Sequence, residues 1–385
     1  MKNSVSDIIS FVGAIQGILL SLFFLIRKKN HLCNLMIGLY TFIFSVGLLE
    51  NWVIRNFSGY TQIIIQSLVG NSSFLYGPLL YLFVHFLTTN ESRFSKKKFL
   101  HFLPFILSLA LELTIIISGI KVNRDLSEIM ELIQFEILMI QILIYNVLAI
   151  KGLTKHHRSI LYIYSNIENK DLNWLKSLLI LITSIYILSF CLSHLLLFGI
   201  SAAKNLFIIV QLAITGSIYL MTYRVIFQPD LFNFAVAVQQ EPVNAVNNVQ
   251  NNSREPIINS RYQKSGLKPE QATHYLNSLR DLLKNEKPYL NPELNIFSLA
   301  QLLSISKNHL TQVINESMNM NFYELINSYR IEEAKRLMKD PQYSNLNLTG
   351  IAEKSGFKSR TTFFTNFKKF SGITPQEWMK NQTEL

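Results

Sequence analysis

Only two cysteines occur in the chain, Cys33 and Cys191, and each lies inside a long apolar block. That excludes a disulfide framework or a cysteine-built metal site, and both thiols read as packing residues. No HExxH stretch, no glycine-rich phosphate loop and no nucleophile–base constellation is present. The expectation is therefore a protein that is not an enzyme and carries no metal and no cofactor. Paired half-sequences of the inverted-repeat kind are also missing, which argues against a secondary transporter. A cleavable leader is not expected either. The segment before the first apolar block has one basic residue, Lys2, no small-residue cleavage pattern follows, and Arg27-Lys28-Lys29 closes the block.

What is present is distributed unevenly along the 385 residues. The first part is dominated by Ile, Leu, Phe and Tyr in long blocks, whereas from Pro229 onward Asn, Gln, Lys and Glu take over. Two parts suited to two different solvents follow from that shift. The net charge of +11 fits nucleic acid or anionic lipid, and by itself does not choose between them.

Crossing a hydrocarbon core of about 30 Å takes roughly 20 apolar residues in a helix. Seven stretches approach that length: Ile8–Ile26, Leu32–Leu49, Ile63–Leu87, Phe99–Ile120, Leu132–Ile150, Leu175–Phe198 and Leu206–Phe227. The third contains Asn71-Ser72-Ser73 and Gly77-Pro78, so it is expected to be kinked or partly buried against its neighbours. Lys and Arg are retained on the cytoplasmic side of a membrane. Twelve of them (Arg27, Lys28, Lys29, Arg93, Lys96, Lys97, Lys98, Lys151, Lys155, Arg158, Lys170, Lys176) fall on one side of this arrangement. Five (Lys2, Arg55, Lys121, Arg124, Lys204) fall on the other. The N-terminus is thus expected outside and, with an odd number of spans, the C-terminus in the cytoplasm of a bacterial inner membrane.

Among polar residues in these spans Glu112 stands out, because a carboxylate at the bilayer centre costs several kcal/mol unless paired, protonated or facing water. It is a candidate sensing group or a buried structural hydrogen-bonding group. His85 is a weaker candidate for sensing, and Glu136 and His194 fit interfacial or inter-helix hydrogen bonds. No residue here identifies the signal ligand.

After the membrane domain, residues 1–228, a stretch at 229–266 has Asn-Asn repeats, Pro229, Pro242 and Pro256, and few large apolar residues. It buries too little to offset chain entropy and reads as a flexible linker open to cleavage. Residues 267–288 form a connecting helix, started by Pro269 and stopped before Pro288, with Ala272, Tyr275, Leu276, Leu279, Leu282 and Leu283 on one face. About two heptads are too few for a coiled coil, so this face either pairs two copies or packs on its own domain.

Residues 289–385 contain two copies of one short pattern. The first runs Leu299-Ala300, Ser304-Ile305-Ser306, then Leu310, Val313 and Ile314. The second runs Ile351-Ala352, Gly356-Phe357-Lys358-Ser359, then Phe363, Phe367 and Phe370. Each is a helix with a small Ala at its packing point, a tight turn, and a Ser able to cap a second helix. Helix, turn and capped helix make a helix-turn-helix. Between the copies Phe322, Leu325, Ile326, Tyr329, Ala334, Leu337 and Met338 recur at helical spacing, so a stiff helix joins two recognition helices.

From Tyr289 to Lys380 the sequence resembles the AraC family of transcription regulators, in its membrane-bound type. The likeness rests on Arg330-Ile331-Glu332-Glu333-Ala334 with Leu337, on Ile351-Ala352 with Gly356-Phe357, and on Phe367-Lys368-Lys369 with Gly372 and Pro375. The resemblance implies that Lys307, Asn308, Thr311 and Gln312, and Arg360, Thr361 and Thr365, face base edges. Asn and Gln suit adenine, Arg suits guanine, and Thr suits a thymine methyl. Ser306, Lys358, Ser359, Lys368 and Lys369 are placed for phosphates. Departures from the pattern are Ser304 where a turn Gly is usual, Thr365 where an Arg is common, and Met379 after Trp378. Ser304 is expected to strain or reshape the first turn, since Gly alone takes positive φ cheaply.

The expected protein is all-α: a seven-helix transmembrane bundle, a flexible linker and a cytoplasmic double helix-turn-helix domain. Its expected partners are double-stranded DNA, the lipid bilayer, an unidentified signal ligand and a second copy on paired half-sites. The alternatives are a transporter or membrane enzyme with an attached DNA-binding domain, and an anchor without sensing or with proteolytic release.

Overall fold

A computed structural model describes residues 5–28, 30–50, 52, 56–89, 91, 93–119, 123–168, 170–198, 203–227 and 267–383. The linker expected at 229–266 lies outside them. The described residues are helical, with a single isolated β-bridge and no strand. The chain divides into two compact units. One is Met1–His156 with Leu172–Gln240, and the other is His157–Asp171 with Glu241–Leu385.

In the first unit the described helices are α1 (Val5–Ile26), α2 (His31–Gly47), α3 (Gly59–Ser72), α4 (Tyr76–Thr88), α5 (Leu103–Ser118), α6 (Arg124–Leu161), α7 (Asn173–Leu197) and α8 (Ala203–Phe227). The third apolar stretch is broken, as its sequence suggested: a 3-10 turn at Ser73–Leu75 separates α3 from α4. The break frees the Phe74 carbonyl, which accepts a hydrogen bond from Gln141 Nε2 at 3.1 Å. Non-helical backbone is tolerated among apolar helices when such a partner is supplied. α4 is then deeply buried: Leu79, Leu82, Phe83 and Val84 share one apolar cluster with Met36, Ile37 and Tyr40 of α2 and with Leu175, Leu179 and Ile182 of α7. Small residues permit close approach: a Cβ on Gly17 of α1 would collide with Ser45 of α2, and one on Gly77 with Tyr145.

α6 is longer than the apolar stretch at Leu132–Ile150. Its 38 residues span about 57 Å, because Lys151–Leu161 contains no proline and buries Leu153, His156 and Ile160. Polar residues are mixed into the buried core of the unit, and many large apolar residues lie on its outside. Asn34, Thr41, Ser45, Asn71 and Asn146 are buried, while Leu107, Leu111, Ile117, Ile140, Ile144 and Leu188 are exposed. Four helical segments are long and apolar enough to cross a membrane: Gly59–Thr88, Lys96–Ser118, Ile129–Leu161 and Asn173–Leu196. Ser10–Ile26 and His31–Gly47 are shorter apolar helices.

The second unit contains α9 (Pro269–Asn285), α10 (Ile296–Leu302), α11 (Lys307–Met318), α12 (Phe322–Lys339), α13 (Leu348–Lys354), α14 (Arg360–Ser371) and α15 (Pro375–Thr383). Side-chain caps start most of them. Asn295 accepts from the Phe297 and Ser298 amides to open α10, Asn321 and Glu324 form a reciprocal capping box on α12, and Asn347 accepts from the Gly350 amide on α13. The apolar face of α9 packs on its own domain: Leu267 and Ala272 lie with Val313 of α11, flanked by Tyr275 and Leu276. α12 buries Phe322, Leu325, Ile326, Ile331, Ala334 and Leu337, and its second half shares a core with Ile351, Ala352, Phe357, Phe363 and Phe367.

Candidate nucleic-acid interface

Two helix-turn-helix units, α10–α11 and α13–α14, are joined by α12. The first residue of each second helix is set by a serine cap. Ser306 Oγ accepts from the His309 amide at 3.1 Å, and Ser359 Oγ accepts from the Thr362 amide at 3.2 Å. These hydroxyls, placed by sequence among the phosphate contacts, are thus engaged in starting α11 and α14.

On α11 Asn308 is exposed in the first turn, and Lys307, Thr311 and Gln312 are half-buried. The Lys307 ammonium sits 5.2 Å from the Phe297 ring centre, and Gln312 Nε2 donates to Glu316 Oε2 at 3.1 Å. Gln312 therefore has to give up an intrahelical bond before it can pair with a base. On α14 Arg360, Thr361 and Thr365 are all exposed. Thr361, Thr365 and Lys368 follow the i, i+4, i+7 spacing that puts side chains on one stripe of a helix. The Arg360 guanidinium lies 5.0 Å from the Phe364 ring centre, which holds it by cation–π attraction while leaving its edge free to donate. Phe364, Thr365, Lys368, Lys369 and Thr374 line a shallow open concavity beside α14.

The lysines differ in electrostatic state. Lys358 donates to Glu293 Oε1 at 2.8 Å and Lys369 to Glu324 Oε1 at 2.7 Å. The Lys358 hydrogen bond holds the Glu293 carboxyl below the usual carboxylate range, against the opposing effect of burial. Burial raises the Glu324 carboxyl, but bonds from Lys369 and the Asn321 amide outweigh it and leave it lowered. Lys368 is exposed and makes no ion pair among the described residues. A phosphate meeting Lys358 or Lys369 has to displace a carboxylate, and one meeting Lys368 does not.

The two turns also differ. Gly356 has φ +91°, and a Cβ there would lie 2.5 Å from the Tyr289 carbonyl oxygen. Ser304, at the matching place in the first unit, has φ 55°, so the turn keeps its left-handed shape with a residue that pays for it in strain. Arg330, which the sequence marks only as part of the Arg330–Ala334 motif, holds a structural place. It is 1% exposed: Nε donates to the Tyr289 carbonyl at 2.7 Å and Nη2 to the Asn291 carbonyl at 2.8 Å. Burial pulls its pKa down to about 10, so it stays charged at neutral pH.

In the other unit, Asn71 of α3 donates to Glu112 of α5 and accepts from Ser108 of α5. Gln134 Nε2 of α6 donates to Asn71 Oδ1 at 3.1 Å and to Ser108 Oγ at 3.3 Å. Glu112, which is half-buried, thus belongs to a polar network shared by three helices. His85 is placed elsewhere, near the C-terminal end of α4, where its Nε2 lies 2.7 Å from Glu91 Oε2. His194 of α7 and Glu136 of α6 pair at 3.2 Å. Glu112 and His85 therefore do not share one site through these contacts.

Comparison with known proteins places the C-terminal region. A family profile described as a helix-turn-helix domain matches residues 299–381. An uncharacterized HTH-type transcriptional regulator of Staphylococcus aureus (strain COL) is 31% identical over 90 residues, covering 23% of this chain and 12% of that protein. The HTH-type transcriptional regulator YtdP of Bacillus subtilis (strain 168) is 29% identical over 93 residues, 24% of this chain and 12% of that protein. The chain therefore spans about an eighth of the length of these relatives. Among solved structures, the C-terminal domain of AraT, a response regulator from Geobacillus stearothermophilus, has 25% identity and a TM-score of 0.24, over 30% of this chain and 88% of that one. The C-terminal region of this chain is an AraC-type helix-turn-helix domain.

Proposed function

We propose that this protein is a membrane-tethered, sequence-specific transcription regulator. Its apolar unit crosses the bacterial inner membrane seven times with the N-terminus outside, and its AraC-type domain reads double-stranded DNA in the cytoplasm. The observation that carries the DNA-binding half is the pair of serine-capped helices, α11 and α14, each presenting exposed polar side chains in its first turn. Asn308, Lys307, Thr311 and Gln312 in one, and Arg360, Thr361 and Thr365 in the other, carry the donors and methyl groups that distinguish base pairs in the major groove. Lys358, Lys368 and Lys369 supply charge for phosphates, with Ser306 and Ser359 at the helix starts.

The membrane half is supported by the apolar surface of the first unit, since so many exposed Leu and Ile side chains are favourable against hydrocarbon and not against water. The loop-charge asymmetry supports the orientation. A change in ligand or protonation near Glu112 would have to favour one arrangement of α3, α5 and α6 over another to count as sensing. Binding as two copies on paired half-sites would raise occupancy without new base contacts.

Enrichment of duplexes from a random pool by the full chain in detergent micelles tests the reading. A recurring sequence, lost when Arg360 and Asn308 are both replaced by Ala, is the expected result. Retention of all duplexes alike, or of none, would refute sequence-specific binding.

A further inference from the structure

The second compact unit includes a segment far away in sequence: His157–Asp171, the last residues of α6 and the stretch before α7, groups with the AraC-type domain. Ile163, Tyr164, Ser165 and Asn166 are all buried, with Ser165 fully so. The segment lies antiparallel to the start of α10, bridging Tyr164 to Asn295. The Ile163 carbonyl accepts from the Ile296 amide at 2.9 Å, and the Ser165 amide donates to the Leu294 carbonyl at 3.3 Å. Ser165 Oγ also donates to the Leu294 carbonyl at 2.6 Å.

The centre of this seat is Arg330. Its Nη1 donates to the Ser165 carbonyl at 3.2 Å and its Nη2 to Ser165 Oγ at 3.0 Å. Asn327, itself fully buried, donates from Nδ2 to the same Ser165 carbonyl at 3.1 Å. A buried guanidinium keeps its charge only if its donors are matched by acceptors. The domain's own backbone supplies Tyr289 and Asn291, and Ser165 supplies two more bonds. Withdrawing the segment would leave Nη1 and Nη2 short of acceptors and open the Ile296 amide. Within the segment the Lys170 ammonium lies 4.7 Å from the Tyr164 ring centre.

We propose that residues 163–166 are a docking strap. The seat formed by Arg330, Asn327 and the Leu294–Ile296 backbone takes this piece of the same chain, and through it the ends of α6 and α7 act on the DNA-binding domain. Covalent continuity through residues 229–266 is then not the only path between signal and DNA. The inference deepens the regulator reading and rests on it for the meaning of the coupling, though not for the contact itself.

Bonds flanking Tyr164 and Asn295 make them the non-hydrogen-bonded type of antiparallel pair, in which the Cα atoms stand about 4.5 Å apart, within reach of a disulfide. The experiment uses the full chain in detergent with Cys33→Ala and Cys191→Ala, a protease site inserted within residues 241–250, and the pair Tyr164→Cys and Asn295→Cys. After mild oxidation and cleavage, the C-terminal fragment should stay joined to the rest on a non-reducing gel and separate on reduction. Adding Ser165→Val should cut the joined fraction several-fold. Affinity for a duplex enriched from a random pool should then differ at least tenfold between the oxidised and reduced cleaved chains. A protease-resistant fragment that separates without reduction overturns the strap, and equal affinity in both states overturns the coupling. Loss of duplex binding in every state, with the disulfide formed, would instead strike the regulator reading and leave the strap contact standing.

Discussion

Ser304 and Gly356 occupy the same place in the two helix-turn-helix turns, both with a left-handed backbone, at φ 55° and 91°. Only the second is crowded. A Cβ at Gly356 would press on the Tyr289 carbonyl and the Leu290 Cα, whereas Ser304 already has its Cβ and is exposed.

Ser304→Gly should therefore stabilise the AraC-type domain by up to about 1 kcal/mol, the relief of left-handed strain less the added chain entropy of Gly. Gly356→Ala should destabilise it by about 2 kcal/mol or more, through strain and collision together. Hydrogen exchange of peptides from α10 to α14 in the full chain would measure both. Equal effects of the same sign at the two positions would show that the turns are not built alike.

The parts of this architecture legible in the sequence are those set by near neighbours. Ser306 and Ser359 announce their helices because a cap acts within three residues, and Asn71 to Pro78 announces a break in the third apolar stretch because backbone propensity is local. Contacts across many residues were not legible. Nothing near Arg330 names Ser165 as its acceptor 165 positions earlier, and nothing near Glu112 names Asn71 as its donor. The length of α6 was missed for a different reason: an apolar window ends at Ile150, although the helix goes on as an amphipathic one. The face of α9, which the sequence left open between pairing and internal packing, lies against Val313.

Acid should loosen the domain through Glu333. Its side chain is 8% exposed and accepts from Arg336 Nη2 at 2.9 Å and from Lys287 Nζ at 3.0 Å. The Arg336 bond, opposed by burial and aided by Lys287, holds its carboxyl below the usual range. A depressed carboxyl adds stability above its unfolded pKa, near 4.3, and that contribution is lost as pH falls through the lower folded value. Glu333→Gln should thus lower stability at pH 7 and flatten the decline below about pH 4. An unchanged slope in acid denaturation of the full chain would remove Glu333 from the account.

Reporter fusions after Lys98 and after Lys170 should behave as cytoplasmic, and fusions near Arg55 and Lys121 as external, if loop charge sets orientation. Reversal at any two of the four would sink the seven-span arrangement with its N-terminus outside.

Glu112→Gln keeps an amide oxygen to accept from Asn71 while removing the carboxylate. If the network senses a signal, this variant should insert and accumulate normally and change the response of target genes. Glu112→Leu should lower abundance instead, since it removes the carboxylate that Asn71 donates to among apolar helices. A normal response from the Gln variant at normal abundance would reduce Glu112 to a structural role.

Base reading and phosphate positioning separate along the recognition helices. Asn308 and Arg360 stand in the first turns of α11 and α14, directly after their serine caps, and both are exposed. That end of a recognition helix meets base edges in the major groove. Asn308→Ala and Arg360→Ala should each relax sequence preference at one place in the site, at about 1–3 kcal/mol for a lost bidentate contact. Lys368 lies two turns further along α14, exposed and outside the carboxylate pairs that hold Lys358 and Lys369. Lys368→Ala should weaken all sequences by a similar factor and reduce the salt slope by about one unit. Lys369→Ala should change the slope less, because its charge is already met by Glu324 at 2.7 Å. Titrations of the full chain onto an enriched duplex and its base-substituted versions, at several salt concentrations, separate the two effects. If the Asn308 and Arg360 variants keep wild-type preference at every base pair, these residues do not read the sequence, whatever the salt slopes show.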